Sequence, residues 1–184
     1  PSPSLRVTLR RNLVYRVLTM KTAMIWGASG GIGSALITIL AEQGWQVVAV
    51  ARNAENLNNI TPLVLEADVS RPHDVERAIL AASQEVDQID LWVYAAGDIA
   101  SVKVEEMAPV DWQRILDANL TGAFTTAHYS LPLLASDAHL FFLGAVSERM
   151  QMPGLSAYAA AKAGLEAFAE SLRKEARKRR VTAV

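Results

Sequence analysis

The stretch Trp26-Gly27-Ala28-Ser29-Gly30-Gly31-Ile32-Gly33 constrains the fold of this chain more than any other. It stands between a short apolar run, "TAMIW" (22–26), and "GIGSALITILAEQG" (31–44), whose apolar residues recur at helical spacing. A strand that turns into a helix within a few residues needs backbone angles that most side chains resist, and glycine supplies them. Gly27, Gly31 and Gly33 give the spacing G-x-x-x-G-x-G. A missing side chain also lets a phosphate approach the backbone. The helix N-terminus beyond it offers free N–H groups and partial positive charge. Gly33 lets the helix lie close on the sheet. In isolation this is only a Gly-rich turn; after a strand and before a helix it marks a dinucleotide-phosphate site.

The alternation continues. "WQVVAVA" (45–51), "ITPLVLE" (60–66), "DLWVYAAG" (90–97) and "AHLFFLGA" (138–145) read as strands, and "VTAV" (181–184) opens a sixth. Helices are expected over 31–44, closing on Gly44, and from the Ser70-Pro72-Asp74 start to about Ser83. Longer ones are expected over Pro109–Leu134 and Gly154–Arg180. The gap between strands two and three holds at most one short helical turn. Strands buried on both faces and alternating with helices predict an α/β, doubly wound parallel sheet of the Rossmann type in three αβα layers. Residues 21–184 form this domain, incomplete on its C-terminal side. The chain begins with Pro1 and stops inside a strand, so a fragment is expected.

With 184 residues, 51% hydrophobic, there is material for one real core. A net charge of −1 gives no reason to expect nucleic acid or an anionic membrane as partner, and no apolar run approaches the ~20 residues of a membrane span. With no cysteine, disulfide and thiolate chemistry are excluded, and a cytoplasmic setting is the simple reading. Residues 1–20 are basic and acid-free, which fits a transit peptide. The strand beginning directly after Met20 favours instead an upstream extension outside the fold, with Met20 as natural start. His73, His128 and His139 lack ligand spacing, so no metal is expected. "RKEARKRR" (173–180) reads as a solvated helix end, and Trp45, Trp92 and Trp112 as packing aromatics.

Two further features carry chemistry. At the end of strand two, where an acid would take ribose hydroxyls, stand Ala51 and Arg52. A guanidinium there suits a 2′-phosphate, which favours NADP(H) over NAD(H). In "SAYAAAKAG" (156–164), Tyr158 and Lys162 are four apart and share a helix face. A free phenol titrates near ~10 and a free lysine near ~10.4. An ammonium beside the phenol favours phenolate and fits it for proton transfer to or from an oxygen.

Together, "GASGGIG" and "YAAAK" resemble the short-chain dehydrogenase/reductase family, over residues 22–184. "ADV" (67–69) resembles its adenine-contacting pair, at Asp68 and Val69. "DWQRILDANLTGAF" (111–124) resembles its long-helix signature, with Asn119 at the catalytic Asn. "PGLSAYAAAKAGLEAFAESL" (153–172) resembles its tyrosine helix. The resemblance implies an oxidoreductase moving hydride between nicotinamide and a small-molecule carbonyl or alcohol. Tyr158, Lys162 and Asn119 would be catalytic, and Asn119 would hold a water linking Lys162 to solvent. Gly27, Ser29, Gly31, Ile32, Gly33, Arg52, Asp68, Val69, Ala95, Ala96, Gly97, Tyr158 and Lys162 would bind cofactor. It also implies a homodimer or homotetramer, paired through the long fourth-strand helix and the tyrosine helix.

Three departures stand against the pattern. Trp26 replaces the first-turn Thr. Tyr94-Ala95-Ala96-Gly97 replaces "NNAG", so two amides and some bracing of the central strand are lost. Counted back from Tyr158, the active-site Ser position falls on Ala145, and Ser147 is the nearest hydroxyl to serve. These departures keep open a second reading, a non-catalytic NADP(H)-binding sensor or interaction module.

Overall fold

Large and small apolar residues alternate along the inner strands and give the sheet two unlike faces. Strands place successive side chains on opposite sides. In β1 (Thr22–Trp26), Met24 and Trp26 point to one face, Ala23 and Ile25 to the other. The computed structural model describes residues 20–53, 55–57, 61, 63–145, 152–176 and 178–184. Among them run α1 (Gly31–Glu42), β2 (Gln46–Ala51), a 3₁₀ turn (Glu55–Leu57), β3 (Leu63–Glu66), α2 (Pro72–Glu85) and β4 (Ile89–Tyr94). Then follow α3 (Pro109–Leu116), a π turn (Asp117–Thr121), α4 (Gly122–Ser130), a 3₁₀ turn (Leu131–Leu133), β5 (Leu134–Phe142), α5 (Ser156–Glu175) and β6 (Arg180–Ala183).

The strands form one parallel sheet of order β3-β2-β1-β4-β5-β6. Strand order reverses between β1 and β4, and such a switch point opens a crevice at the carboxyl edge. Trp26 pairs with Val50 and Tyr94, and Tyr94 with Phe142, so one row crosses that edge. Directly beyond it come Gly27, Ala95 and Leu143.

The face under α1 is packed with small and branched residues: Ala23, Ile25, Val47, Ala49 and Val93 against Ile37 and Leu40. The other face is aromatic. Trp92 meets Phe142 with ring centroids 5.1 Å apart, and its buried indole N–H donates to Ser130 Oγ at 2.9 Å. Such a ring pair is worth about 0.5–1.5 kcal/mol beyond its area, and the hydrogen bond about 1.

Several boundaries differ from the sequence reading. The helix expected over 109–134 is broken by the π turn and stops at Ser130. β5 begins at Leu134 because that residue pairs with Ile89, after which the register slips before His139 meets Leu91. The tyrosine helix ends at Glu175, not Arg180. Arg179 is not solvated: its guanidinium donates to the carbonyls of Leu131, Leu134 and Ala135 at 3.1–3.2 Å, closing the turn before β5. Trp112 does not reach the core. It is 38% exposed, while Ile115 is the buried residue of α3. No helix among the described residues is long and apolar enough to cross a membrane, and none of their His, Asp and Glu side chains cluster to hold a metal.

Candidate active site

The glycine turn is built by contact as well as by backbone angle. Gly27 sits at φ +83°, in the left-handed region, and the amides of Gly27 and Ala28 both donate to Val50 O at 3.0 Å. A Cβ at 27 would lie 2.6 Å from Ala95 C and Ala96 Cα, so the end of β4 passes directly over this residue. A Cβ at 33 would lie 2.9 Å from Ala28 Cα, and Gly33 thereby lets α1 lie against the turn. Among the described residues no side chain caps α1, whose first amides have no helical acceptor of their own.

A cleft of about 540 Å³ opens at the carboxyl edge beside this turn. That size suits a small-molecule or cofactor site. Gly27, Ser29 and Gly30 form its floor, and Ala95, Ala96 and Gly97 one wall. Arg52, Asp68 and Val69 stand at one end. Of the glycine-turn residues singled out in the sequence, Gly31 and Ile32 lie off the wall and exposed, and Gly33 is packed beneath it. Gly30 takes their place. Sequence reasoning also missed Asp98, Gln113, Arg114 and Asp117, which line the cleft from α3, its π turn and the loop before it. Their spacing of 113, 114 and 117 along one helix face was the available signal.

Asp68 is set by its neighbours. Partial burial pushes its carboxyl up. Hydrogen bonds from the Ser70 N–H (3.0 Å) and hydroxyl (2.8 Å), with Arg52 and Arg71 nearby, outweigh that and hold it below its ordinary value. A second recess of about 280 Å³ continues past Arg52 and Asp68 and is lined by Arg71 and Arg77. Arg77 is engaged with Asp74 at 3.0 Å.

Tyr158, Lys162 and Asn119 do not line the cleft; they lie behind its Gly97 wall, where α5 carries Tyr158 and Lys162 beside the end of β5. Lys162 is only 4% exposed. Its ammonium donates to Leu143 O at 2.7 Å, directly beyond β5, and lies 5.6 Å from the centroid of the Tyr158 ring. Asn119, fully buried in the π turn, donates through Nδ2 to Asp98 O (2.6 Å) and Ile115 O (2.8 Å). Its Oδ1 has no hydrogen-bond partner among the described residues. Gly97 joins the two groups: a Cβ there would lie 2.8 Å from Asn119 Oδ1 and 3.9 Å from Lys162 Nζ. Thus Gly97, Asn119, Tyr158 and Lys162 come together. Ala145 stands half-buried at the serine position, and Ser147 lies outside the described residues.

The bracing thought lost with the amides of "NNAG" is replaced. Tyr94 fills the space and its hydroxyl donates to Ala118 O at 2.7 Å, tying β4 to the π turn.

A parallel sheet of this order, with a glycine turn at its switch point and a Tyr-x-x-x-Lys helix over its carboxyl edge, defines a dinucleotide-binding α/β oxidoreductase. The family model for short chain dehydrogenases matches residues 21–184, and the chain belongs to that family, whose members bind NAD(P)(H). An uncharacterized oxidoreductase of Staphylococcus aureus is 32% identical over 168 residues, covering 86% of this chain and 73% of the relative. One from Staphylococcus epidermidis is 33% identical over 163 residues, covering 84% and 71%. Among solved structures, a glucose/ribitol-type short-chain dehydrogenase/reductase from Brucella melitensis superposes with TM-score 0.85 at 27% identity, over 89% of this chain and 73% of that one. The aldohexose dehydrogenase of Thermoplasma acidophilum gives 0.84 at 25%, over 89% and 65%.

Proposed function

We propose that this chain is an NADP(H)-dependent oxidoreductase acting on a carbonyl/alcohol pair, with Tyr158 as general acid/base. The observation that carries the reading is the buried Lys162 ammonium, held on Leu143 O beside the Tyr158 ring. Its field stabilises negative charge on the phenol oxygen, which eases proton transfer in either direction. Water is scarce around so buried a cation, so that field is poorly screened.

The residues present fit the cofactor. The amides at the start of α1 would hold the pyrophosphate. Asp68 and Val69 would take the adenine side, and Ala95–Gly97 the wall opposite. Arg52, with Arg71 across the second recess, would take the 2′-phosphate, which is the ground for NADP(H) over NAD(H). Lys162 would hold ribose hydroxyls. When bound, the nicotinamide supplies or accepts the hydride at the substrate carbon. Asn119 Oδ1, buried and without a partner among the described residues, has the capacity to hold a water between Lys162 and solvent. The exposed apolar residues Trp112 and Phe124 on α3 and α4 support pairing of two or four copies through those helices.

The test is an NADPH-oxidation assay over a panel of ketones and aldehydes, repeated with NADH and with Arg52→Asp. Turnover with NADPH, shifting toward NADH in the variant, is expected. An unchanged cofactor ratio removes the NADP(H) assignment. Tight NADPH binding with no turnover on any substrate overturns the enzyme in favour of a binding module.

A further inference from the structure

Tyr94 is a fully buried phenol that the proposed chemistry does not use. Burial, and then the charge of Asp68, push it far above an ordinary tyrosine, so it remains a neutral donor. Its acceptor, Ala118 O, belongs to the π turn and precedes Asn119. A π turn moves each amide to a carbonyl one residue further back, which strands carbonyls that an α-helix would pair. The phenol meets one of them. Gly122 makes the contact possible, since a Cβ there would lie 2.5 Å from the phenol oxygen. Asn119 is held from its other side as well, through Asp98 O, and the Asp98 carboxylate is itself paired with Arg114.

We propose that Tyr94 is a positioning residue, whose phenol pins the π turn so that Asn119 Oδ1 faces the space beside Gly97 and Lys162. This rests on the role given to Asn119 above. A stable α-helix through 117–121 would move residue 119 around the helix axis and carry its side chain off Gly97. The hydroxyl of residue 94 opposes that repacking from its buried ring, with Gly122 close against it. The same substitution that removes an amide from the central strand therefore supplies the brace by another route.

Hydrogen exchange tests this without turnover. In Tyr94→Phe, which keeps the ring, the backbone amides of 118–122 and the side-chain amide of Asn119 should exchange roughly tenfold faster. Amides of β1 and β2 should be unchanged. A uniform rise across the sheet, or no change at Asn119, would show a purely structural residue and overturn the proposal. Should the variant not fold, the parent chain decides. A slowly exchanging Tyr94 hydroxyl proton is expected in its NMR spectrum, and a rapidly exchanging one overturns the pinning. If exchange behaves as expected while Tyr158→Phe still turns over, the functional reading fails and the positioning stands.

Discussion

Replacing Gly27 by alanine should separate folding from chemistry, because two independent costs meet at that residue. Its φ of +83° is left-handed, and a Cβ there costs roughly 1–2 kcal/mol. The same Cβ would lie 2.6 Å from Ala95 C and Ala96 Cα, which are backbone and cannot rotate away. Relief requires the ends of β1 and β4 to part, and overpacking of that kind costs typically 1–3 kcal/mol. The sum is roughly 2–5 kcal/mol, a large share of the 5–15 kcal/mol that holds an ordinary domain together. The thermal midpoint should fall by about 4–20 °C. Gly31→Ala is the matched control, since a Cβ there meets nothing within 4 Å and φ is not positive. It should stay within about 1 kcal/mol of the parent, helped by the better helix propensity of alanine. Urea titrations of the three proteins measure the free-energy losses, and thermal melts measure the midpoints. A Gly27→Ala midpoint indistinguishable from the parent, or an equal loss in Gly31→Ala, would refute the argument from contact and angle.

Other expectations follow from single contacts. Arg179→Met keeps the aliphatic stem but deserts three carbonyls, so urea denaturation should show a loss of about 2–3 kcal/mol, and a loss under 0.5 would mean water replaces the guanidinium. Burial, then Arg180, hold His139 below its ordinary value of 6.5. The folded state then binds fewer protons than the unfolded one, and stability is lost as pH falls below about 6.5. His139→Gln should flatten the thermal midpoint between pH 7 and 5, and an unchanged slope would contradict this. Gly164→Ala places a Cβ 2.9 Å from Leu120 Cδ2, the flexible end of a side chain. Helix propensity returns about 1 kcal/mol, so the melt should barely move. A loss above 2 kcal/mol would mean Leu120 is locked.

The strand–helix alternation was legible because buried parallel strands are continuous apolar runs and glycines punctuate them. The short 3₁₀ turn at Glu55–Leu57 follows from the brief link between strands two and three. The π turn was not legible: "DANLT" carries no glycine or proline, and the phenol that meets its Ala118 carbonyl comes from Tyr94, distant in sequence. Arg179 was misread for the same reason, since its acceptors lie more than 40 residues away. Tyr94 itself was read as a loss. A list of residues shows a missing amide, whereas only the packing shows that a phenol spans the gap left by Gly122. The pairing of Tyr158 with Lys162 was legible from helix periodicity alone, but the burial of the ammonium and its anchor on Leu143 were not.

That ammonium and the phenol beside it carry the account, and Tyr158→Phe tests them most directly. The variant keeps the ring over Lys162 and removes only the proton donor. NADPH oxidation should fall by at least about a hundredfold, the usual contribution of a positioned acid or base, with NADPH affinity unchanged. Turnover within tenfold of the parent would contradict the assignment.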